Sequence, residues 1–174
     1  MTIWYGSDPH FYHEKIIQMC NRPFKTIEEM NENLLLELFT KIKKGDTVYL
    51  LGDIVFYHHK EILQRLRGDE LNIHLIIGNH DNNKETIKPK YWRSVSFYKE
   101  IRVDDQRVVL SHYPFETWNA ESHGSIHLHG HTHHNISHKV SEINNRMDVG
   151  YDNIHRFLIS HEEVLELINK GNNE

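Results

Sequence analysis

Cysteine and long apolar runs are the features that this sequence most clearly lacks. A single cysteine, Cys20, excludes an intrachain disulfide framework and suits a reducing compartment. The apolar runs at 48–51 and 75–77 are far too short to cross a bilayer, which argues against a membrane partner. Asp8 and His10 interrupt the first segment before a signal-peptide core could form. These absences predict a cytoplasmic protein.

An excess of basic residues is missing as well. The chain has 20 Lys and Arg against 25 Asp and Glu, a formal net charge of -5. This balance argues against a protein that coats long nucleic acid through a basic surface. A nucleotide or a short strand stays open as a ligand, because bound cations would make a pocket locally positive. The length of 174 residues predicts one domain over 1–174.

The first half of the chain alternates between strand and helix patterns. Thr26 and Glu29 form a capping box at the start of an amphipathic helix that extends to about residue 43. Strands are predicted at 2–5, 47–51 and 72–77, and further helices at 13–19 and 60–67. This order favours a partly parallel α/β sheet.

The second half is richer in strands. A pair of strands is predicted at 95–101 and 108–112, and shorter strands at 126–128, 146–149 and 157–159. Ser160 and Glu163 predict a second capping box at the start of a closing helix.

Histidine is abundant, and much of it stands beside carboxylates and an amide at predicted strand ends. The chain has 16 histidines, crowded between His112 and His138. Five groups of polar residues follow strands: Asp8-Pro9-His10, Gly52-Asp53, Gly78-Asn79-His80-Asp81, His112 and Gly130-His131-Thr132-His133. Each alone could be an ordinary turn, but loops at the carboxyl ends of parallel strands share one crevice. Nitrogen and oxygen donors of these types suit Mn, Fe, Zn or Ni, so the set predicts a metal site.

As an ordered set, these motifs resemble the signature of the calcineurin-like phosphoesterases. The stretch Asn21-Arg22-Pro23-Phe24 resembles a small bacterial and phage branch of that superfamily. The resemblance covers about residues 3–160. It implies an α/β fold of two packed, mostly mixed β-sheets flanked by helices, a four-layer α/β/β/α sandwich. It also implies a hydrolase that cleaves phosphate esters.

The resemblance implies two divalent metal ions per chain, with Mn²⁺ expected first and Fe, Zn or Ni as alternatives. The first ion would be held by Asp8, His10, Asp53 and His133. The second would be held by Asp53, Asn79, His112 and His131, so that Asp53 bridges both ions. Two cations about 3.5–4 Å apart can clamp a phosphate, lower the pKa of a shared water and stabilise the charge of an in-line displacement.

His80 stands next to a predicted ligand but is spared from ligation in this scheme. We therefore expect it to contact the phosphate, together with Asn79, and to protonate the leaving oxygen. Asp81 either orients His80 or caps the following turn. Some branches of the superfamily have an Asp three residues after the bridging Asp, where it pairs with the catalytic His, but this chain has Phe56.

The remaining candidates surround the predicted centre. Arg22 is a candidate phosphate contact, or else a surface residue that ends a helix, and His129 is a candidate partner behind the metal ligands. The aromatic residues Tyr113, Phe115 and Trp118 could stack on a base or belong to the core, and we favour the core. His127 is expected to fill a strand position. The other histidines, including His58, His59, His134 and His138, are interpreted as structural or solvated.

These observations predict a metal-dependent phosphomonoesterase or phosphodiesterase that acts on a small, nucleotide-like phosphate ester. A first alternative is a nuclease or cyclic-phosphate phosphodiesterase that acts on nucleic-acid ends. A second, from another class, is a non-catalytic interaction module on the same fold. The complete donor set argues against that module. The sequence does not define the oligomeric state.

Overall fold

Two mixed β-sheets form the centre of the molecule. The computed structural model describes residues 1–57, 60–67, 71–81, 85–133 and 144–171. The first sheet contains β1 (Ile3–Gly6), β2 (Thr47–Leu50), β3 (Asn72–Ile76), β4 (Ser94–Ser96) and β9 (Ile159–Ser160), in the order β4-β3-β2-β1-β9. The second contains β5 (Tyr98–Val103), β6 (Gln106–Ser111), β7 (Ile126–His129) and β8 (Arg146–Asp148), in that order. The predicted α/β fold with two packed sheets is confirmed.

The helices flank these sheets. The predicted capping box of Ser160 and Glu163 is complete, whereas that of Thr26 is partial, because Glu29 Oε2 accepts Lys25 N–H at 2.8 Å. The helices are α1 (Glu14–Met19), α2 (Ile27–Lys41), α3 (Lys60–Arg65), α4 (Tyr151–Ile154) and α5 (His161–Gly171). At the start of α2, Glu29 N–H donates to Thr26 Oγ1 at 3.2 Å. At the start of α5, Glu163 N–H donates to Ser160 Oγ at 3.3 Å and Glu163 Oε2 accepts from Ser160 N–H at 2.8 Å. None of the described helices is long and apolar enough to cross a membrane.

Strand alternation divides the apolar residues between two cores. Along β2 and the residue after it, Val48 and Leu50 face one core, whereas Tyr49 and Leu51 face the other. The first core lies between the first sheet and α1, α2 and α3. The second core lies between the two sheets and includes Val164 of α5. Each fully buried aliphatic side chain contributes about 1.5–3 kcal/mol, so these two cores hold the layers together.

The run 95–101 is two strands, not the single strand that its sequence predicts. Ser96 belongs to β4, which pairs parallel with β3, and Tyr98 begins β5, which pairs antiparallel with β6. The chain therefore passes from one sheet to the other at Phe97, which is exposed. A local pattern that favours strand does not show which partner each part of a run will find.

Parallel pairing brings the loops that carry the polar motifs to one end of the molecule. Strands β1, β2 and β3 are parallel to one another, and so are β6, β7 and β8. The carboxyl edges of the two sheets meet, because Ser7 and Gly150 form an isolated parallel bridge and His131 N–H donates to Asp8 Oδ2 at 2.9 Å. The predicted site residues lie along this junction.

Candidate metal centre

A first group of donors contains Asp8, His10 and His133. The Nε2 atoms of His10 and His133 are 3.2 Å apart. Asp8 Oδ1 lies 3.8 Å from His10 Nε2 and 3.9 Å from His133 Nε2. One ligand atom from each of the three residues therefore lies within 4.8 Å of the others, the spacing expected of groups that share an ion.

A second group contains Asp53, His112 and His131, whose ligand atoms also lie within 4.8 Å of one another. Asp53 Oδ2 is 3.5 Å from His112 Nε2. Asn79 Oδ1 is 2.9 Å from the same nitrogen, which brings the predicted amide ligand to this group. Asp53 Oδ2 is also 3.6 Å from His10 Nε2, so this carboxylate lies between the two groups.

The backbone of the site is held in an unusual conformation. Five of the seven predicted ligands have positive φ angles between 46° and 71°: Asp8, His10, Asp53, His131 and His133. Such left-handed conformations are uncommon for residues with a side chain and cost of order 1–3 kcal/mol each, unless the surroundings fix them. Hydrogen bonds from Asp8 N–H to Gly52 O and from His10 N–H to Asp53 O, both 3.1 Å, fix the first two loops against each other.

Gly52 is required at this junction. Its φ is +94°, and a Cβ atom there would lie 2.6 Å from the backbone of Gly78 and 2.7 Å from His112 Nδ1. The absence of a side chain allows the loop that carries Asp53 to approach the loop that carries Asn79.

The electrostatics of the first group fit a divalent cation. Asp8 is buried and its Oδ1 has no hydrogen-bond partner. Burial and the neighbouring Asp53 carboxylate raise the pKa of Asp8 to about 8. Burial and the nearby His133 lower the pKa of His10 well below its ordinary value, so His10 is neutral and has a free lone pair. An unpaired buried carboxylate oxygen beside imidazole nitrogens is an arrangement that a bound metal would stabilise.

The carbonyl oxygen of Leu51 determines which ring nitrogen of His112 faces the second group. His112 Nδ1 is 2.7 Å from Leu51 O. A carbonyl oxygen only accepts, so Nδ1 carries the proton and Nε2 presents its lone pair to Asp53 and Asn79. Burial lowers the pKa of His112, which keeps the ring neutral for ligation.

His80 stands at the open side of the centre. Its side chain is 44% exposed, and its Nε2 lies 3.9 Å from Asp53 Oδ2. Its backbone N–H donates to Asp53 Oδ1 at 2.8 Å. The ring thus lies beside Asp53 and stays partly open to solvent.

The Asp81 carboxylate binds backbone N–H groups of its own loop and of the loop that carries Asp53, whereas residues 82–84, in the turn that it is expected to cap, lie outside the described residues. Its carboxylate accepts the backbone N–H groups of Asp53, Ile54 and Gly78 at 2.7–2.9 Å. Burial and the Asp53 charge raise the pKa of Asp81 more than these hydrogen bonds lower it, so that the pKa is about 7. Asp81 therefore holds the loops that carry Asp53 and Asn79 together.

Phe56, which replaces an acidic residue found in some branches, belongs to an aromatic cluster. Its ring stacks on His13 with centroids 3.9 Å apart and lies 5.9 Å from the ring of His80. Tyr57 packs edge-on against Phe56 and is 70% exposed. An apolar wall therefore stands beside His80 where those branches place a carboxylate.

Arg22 does not lie where a substrate phosphate could reach it. Its side chain is 0% exposed, and its Nε and Nη2 donate to the two carboxylate oxygens of Asp152, each at 2.7 Å. Its Nη1 and Nη2 also donate to the carbonyls of Pro9 and Asp8, at 2.9 and 2.8 Å. The expectation of a phosphate contact is corrected on this ground, since the guanidinium group is occupied by protein acceptors.

The neighbouring histidines and aromatics support the centre in different ways. His129 is buried and its Nδ1 donates to Gly130 O at 2.9 Å, so it holds the backbone just before His131. His127 fills a buried position in β7, as expected. Trp118 is buried, whereas Tyr113 is 45% exposed, with its ring centroid 4.6 Å from that of His131. His58, His59, His134 and His138 lie outside the described residues.

Sequence reasoning missed two carboxylates that support the loop 131–133. Asp152 Oδ2 lies 2.6 Å from His133 Nδ1. Asp148 accepts hydrogen bonds from the Thr132 hydroxyl and from Gly150 N–H. Asp148 lies inside the predicted strand 146–149, whereas Asp152 follows it, and Gly150-x-Asp152 places an acid after a glycine at a strand end, a signal similar to Gly52-Asp53.

The family comparison decides which proteins this chain belongs with. The model of the calcineurin-like phosphoesterase superfamily domain matches residues 1–170. The chain belongs to this superfamily. It is therefore a phosphoesterase-family hydrolase, from a family that depends on metal ions, and its clustered histidines and carboxylates are candidate ligands.

Relatives of this phosphoesterase occur in an archaeon and in phages. An uncharacterised protein of Methanocaldococcus jannaschii is 32% identical over 97% of this chain and 92% of its own length. The Gene 66 protein of Mycobacterium phage L5 is 29% identical over 95% of this chain and 93% of its own length. The match to phage proteins agrees with the branch that the motifs resemble.

Two solved structures share the fold. A protein of unknown function from Aquifex aeolicus superposes with a TM-score of 0.76 and 26% identity, covering 95% of this chain and 98% of that one. YfcE, a phosphoesterase from E. coli, gives a TM-score of 0.51 and 15% identity over 86% of this chain and 78% of its own. At that identity the likeness to YfcE shows the fold alone.

Proposed function

We propose that this phosphoesterase hydrolyses a small, nucleotide-like phosphate ester at a centre of two divalent metal ions, with Mn²⁺ as the first choice. The observation that carries the proposal is the position of Asp53. Its Oδ2 lies 3.6 Å from His10 Nε2 in one donor group and 3.5 Å from His112 Nε2 in the other. A carboxylate between two sets of imidazole nitrogens is the arrangement that a shared ligand of two ions requires.

Two bound cations would supply Lewis-acid polarisation of the phosphate and a nucleophilic water at neutral pH. The residues of the chain provide the remaining functions. Asp53 supplies negative charge that offsets the repulsion between the ions, and Asn79 adds a neutral oxygen donor. His80 contacts the phosphate and donates a proton to the leaving oxygen, because its half-exposed ring is held next to Asp53.

The rim of the centre supports a small substrate with a planar group. Tyr113 lies against His131 on one side, and Tyr57 lies in the Phe56 cluster beside His80 on the other. Both tyrosines are well exposed, at 45% and 70%. A net charge of -5 argues against a long nucleic acid as partner. The lone Cys20 supports a cytoplasmic location.

A hydrolysis screen tests the proposal. Metal-free protein reloaded with Mn²⁺, Ni²⁺ or Zn²⁺ is assayed on a phosphomonoester, a phosphodiester and a cyclic nucleotide. Asp53→Asn should lower kcat/KM more than about 100-fold, because residues that merely support a ligand already cost about 10–100-fold. Asp105→Asn, a matched change at an exposed position in the turn between β5 and β6, should keep full activity.

The screen also separates the alternatives. Preference for short oligonucleotides over mononucleotides would favour an enzyme of nucleic-acid ends. Absence of turnover with every metal, together with protein that binds no cation, would contradict the proposal and favour an interaction module.

A further inference from the structure

Arg22 and Asp152 form a buried ion pair directly behind the predicted first ion site. The Arg22 side chain is 0% exposed and that of Asp152 is 4% exposed. The pair is bidentate, with Nε to Oδ1 and Nη2 to Oδ2 both at 2.7 Å. A buried pair of this kind is weak support for stability, since apolar residues of similar volume often do as well. The contacts of the two side chains indicate another role for these charges.

Asp152 contacts a predicted metal ligand through the nitrogen that faces away from the centre. Its Oδ2 is 2.6 Å from His133 Nδ1, whereas His133 Nε2 faces Asp8 and His10. A proton on Nδ1 is donated to the carboxylate, and this fixes both the ring plane and the nitrogen that presents a lone pair. The guanidinium of Arg22 donates to both carboxylate oxygens of Asp152 and so stabilises the charge that makes it a strong acceptor.

Arg22 also contacts the loop that carries the other two donors of this group. Its Nη2 and Nη1 donate to the carbonyls of Asp8 and Pro9. Asp8 and His10, on either side of Pro9, have φ angles of 55° and 50°, so their backbone needs outside support. One guanidinium group therefore joins the 8–10 loop to the side chain that orients His133.

We propose that Arg22 and Asp152 are a positioning pair that fixes His133 and the 8–10 loop for binding of one of the two metal ions. This inference rests on the proposed function. It assigns no contact with substrate to either residue, and it places their effect on the affinity of one ion site rather than on the stability of the fold.

The test is a Mn²⁺ titration of metal-free protein by calorimetry, with the thermal unfolding midpoint of each variant measured alongside. Asp152→Asn should weaken Mn²⁺ binding about 10–100-fold at one site and leave the other unchanged. The matched control is Asp46→Asn, which alters a carboxylate that is also buried, at 6% exposure, but lies at the opposite end of β1 and β2. It should keep both Mn²⁺ affinities even though its unfolding midpoint falls.

A second variant guards against loss of folding. In the double variant Arg22→Met with Asp152→Leu, apolar side chains replace both charges, so the fold should persist. Its affinity should fall at the same site as in Asp152→Asn. Wild-type affinity at both sites in either variant would overturn the positioning role. Wild-type protein that takes up no Mn²⁺ would instead contradict the proposed metal centre itself, so the two failures are distinguishable.

Discussion

Asp8 and Asp46 are buried carboxylates at opposite ends of the same pair of parallel strands, β1 and β2. Asp46 accepts Thr2 N–H at 2.7 Å on Oδ1, and Trp4 Nε1–H and Lys43 N–H at 3.2 and 3.0 Å on Oδ2. Asp8 accepts His131 N–H on Oδ2, but its Oδ1 has no partner. The two carboxylates are therefore similarly buried, but both oxygens of Asp46 accept hydrogen bonds, whereas one oxygen of Asp8 accepts none.

The pKa values of the two groups follow this difference. Burial alone would raise the pKa of Asp46, but its hydrogen bonds lower it below the ordinary value. Burial and the Asp53 charge raise the pKa of Asp8 to about 8. This difference is expected if Asp46 serves the fold and Asp8 binds a cation, because hydrogen-bond donors surround the first carboxylate and the Asp53 carboxylate lies near the second.

The largest expected effect comes from exchanging each carboxylate for its amide, because one exchange should lower activity and the other should lower stability. Asp8→Asn should lower kcat/KM more than about 100-fold, because it removes a carboxylate that is a predicted metal ligand. It should leave the free energy of unfolding of the metal-free protein unchanged or higher. Asp46→Asn should lower that free energy by about 1–3 kcal/mol, because buried N–H groups lose their acceptor, and should retain activity. Urea unfolding and a phosphoester assay on both variants check the prediction; a folded Asp46→Asn without activity would contradict it.

The same contrast applies to histidine. His127 is buried with both ring nitrogens satisfied: Nδ1–H donates to Val109 O at 3.1 Å and Nε2 accepts Phe115 N–H at 3.0 Å. Burial and the neighbouring His129 lower the pKa of His127 to about 4. Its role is therefore to be neutral and to join the 113–118 segment to β7.

The acid stability of the protein should show this role. Between about pH 6.5 and 4, the unfolded chain protonates His127 while the folded protein does not, so stability falls as the pH falls through this window. The loss should reach as much as about 3 kcal/mol. His127→Gln should flatten the slope, whereas His123→Gln, at an exposed position, should not. Urea unfolding at several pH values measures it, and equal slopes in all three proteins would count against the assignment.

The raised pKa of Asp8 predicts a smaller effect, which concerns the affinity for a metal ion and not the stability of the fold. If Asp8 is a metal ligand as proposed, a cation must displace a proton from it below about pH 8. Mn²⁺ affinity should therefore rise about tenfold per pH unit from about pH 6 to 8 and level off above it. Asp8→Asn should make this dependence shallower, and Asp46→Asn should leave it unchanged. Calorimetric titrations over this range test the point, and a flat profile in the wild-type protein would refute it.

The donors of the site were predictable from the sequence because each follows a strand, and strands of one polarity end at one edge. Asp8, Asp53 and Asn79 share this local signal. Of the supporting residues, Asp152 follows a predicted strand as these ligands do, but Asp148 lies inside one. β8 spans only Arg146–Asp148, and its parallel pairing with β7 is a tertiary event. This pairing, together with the bridge between Ser7 and Gly150, brings Asp152 to His133.

Arg22 shows the same limit from the other side. Its position before a proline, near a predicted active site, suggested phosphate binding or an exposed helix end. Its actual partner, Asp152, is 130 residues away in sequence. Likewise, the division of 95–101 between two sheets depends on partners that a local pattern does not encode. Local chemistry therefore predicts which groups can bind a metal, and long-range packing decides which groups hold them.

The smallest effect is expected in a comparison of two aromatic side chains of similar exposure. These are Tyr113, 45% exposed beside His131, and Phe39, 42% exposed on α2. If the planar part of the substrate stacks on Tyr113, Tyr113→Ala should raise KM for an aryl phosphoester about fivefold, since stacking contributes about 1 kcal/mol or more. KM for the corresponding methyl ester should not change, because that ester has no ring to stack. Tyr113→Phe should retain the aryl preference, and Phe39→Ala should have no effect on either substrate. Equal changes for the aryl and methyl esters would mean that Tyr113 shapes the metal site itself, and would remove the planar group from the proposed substrate.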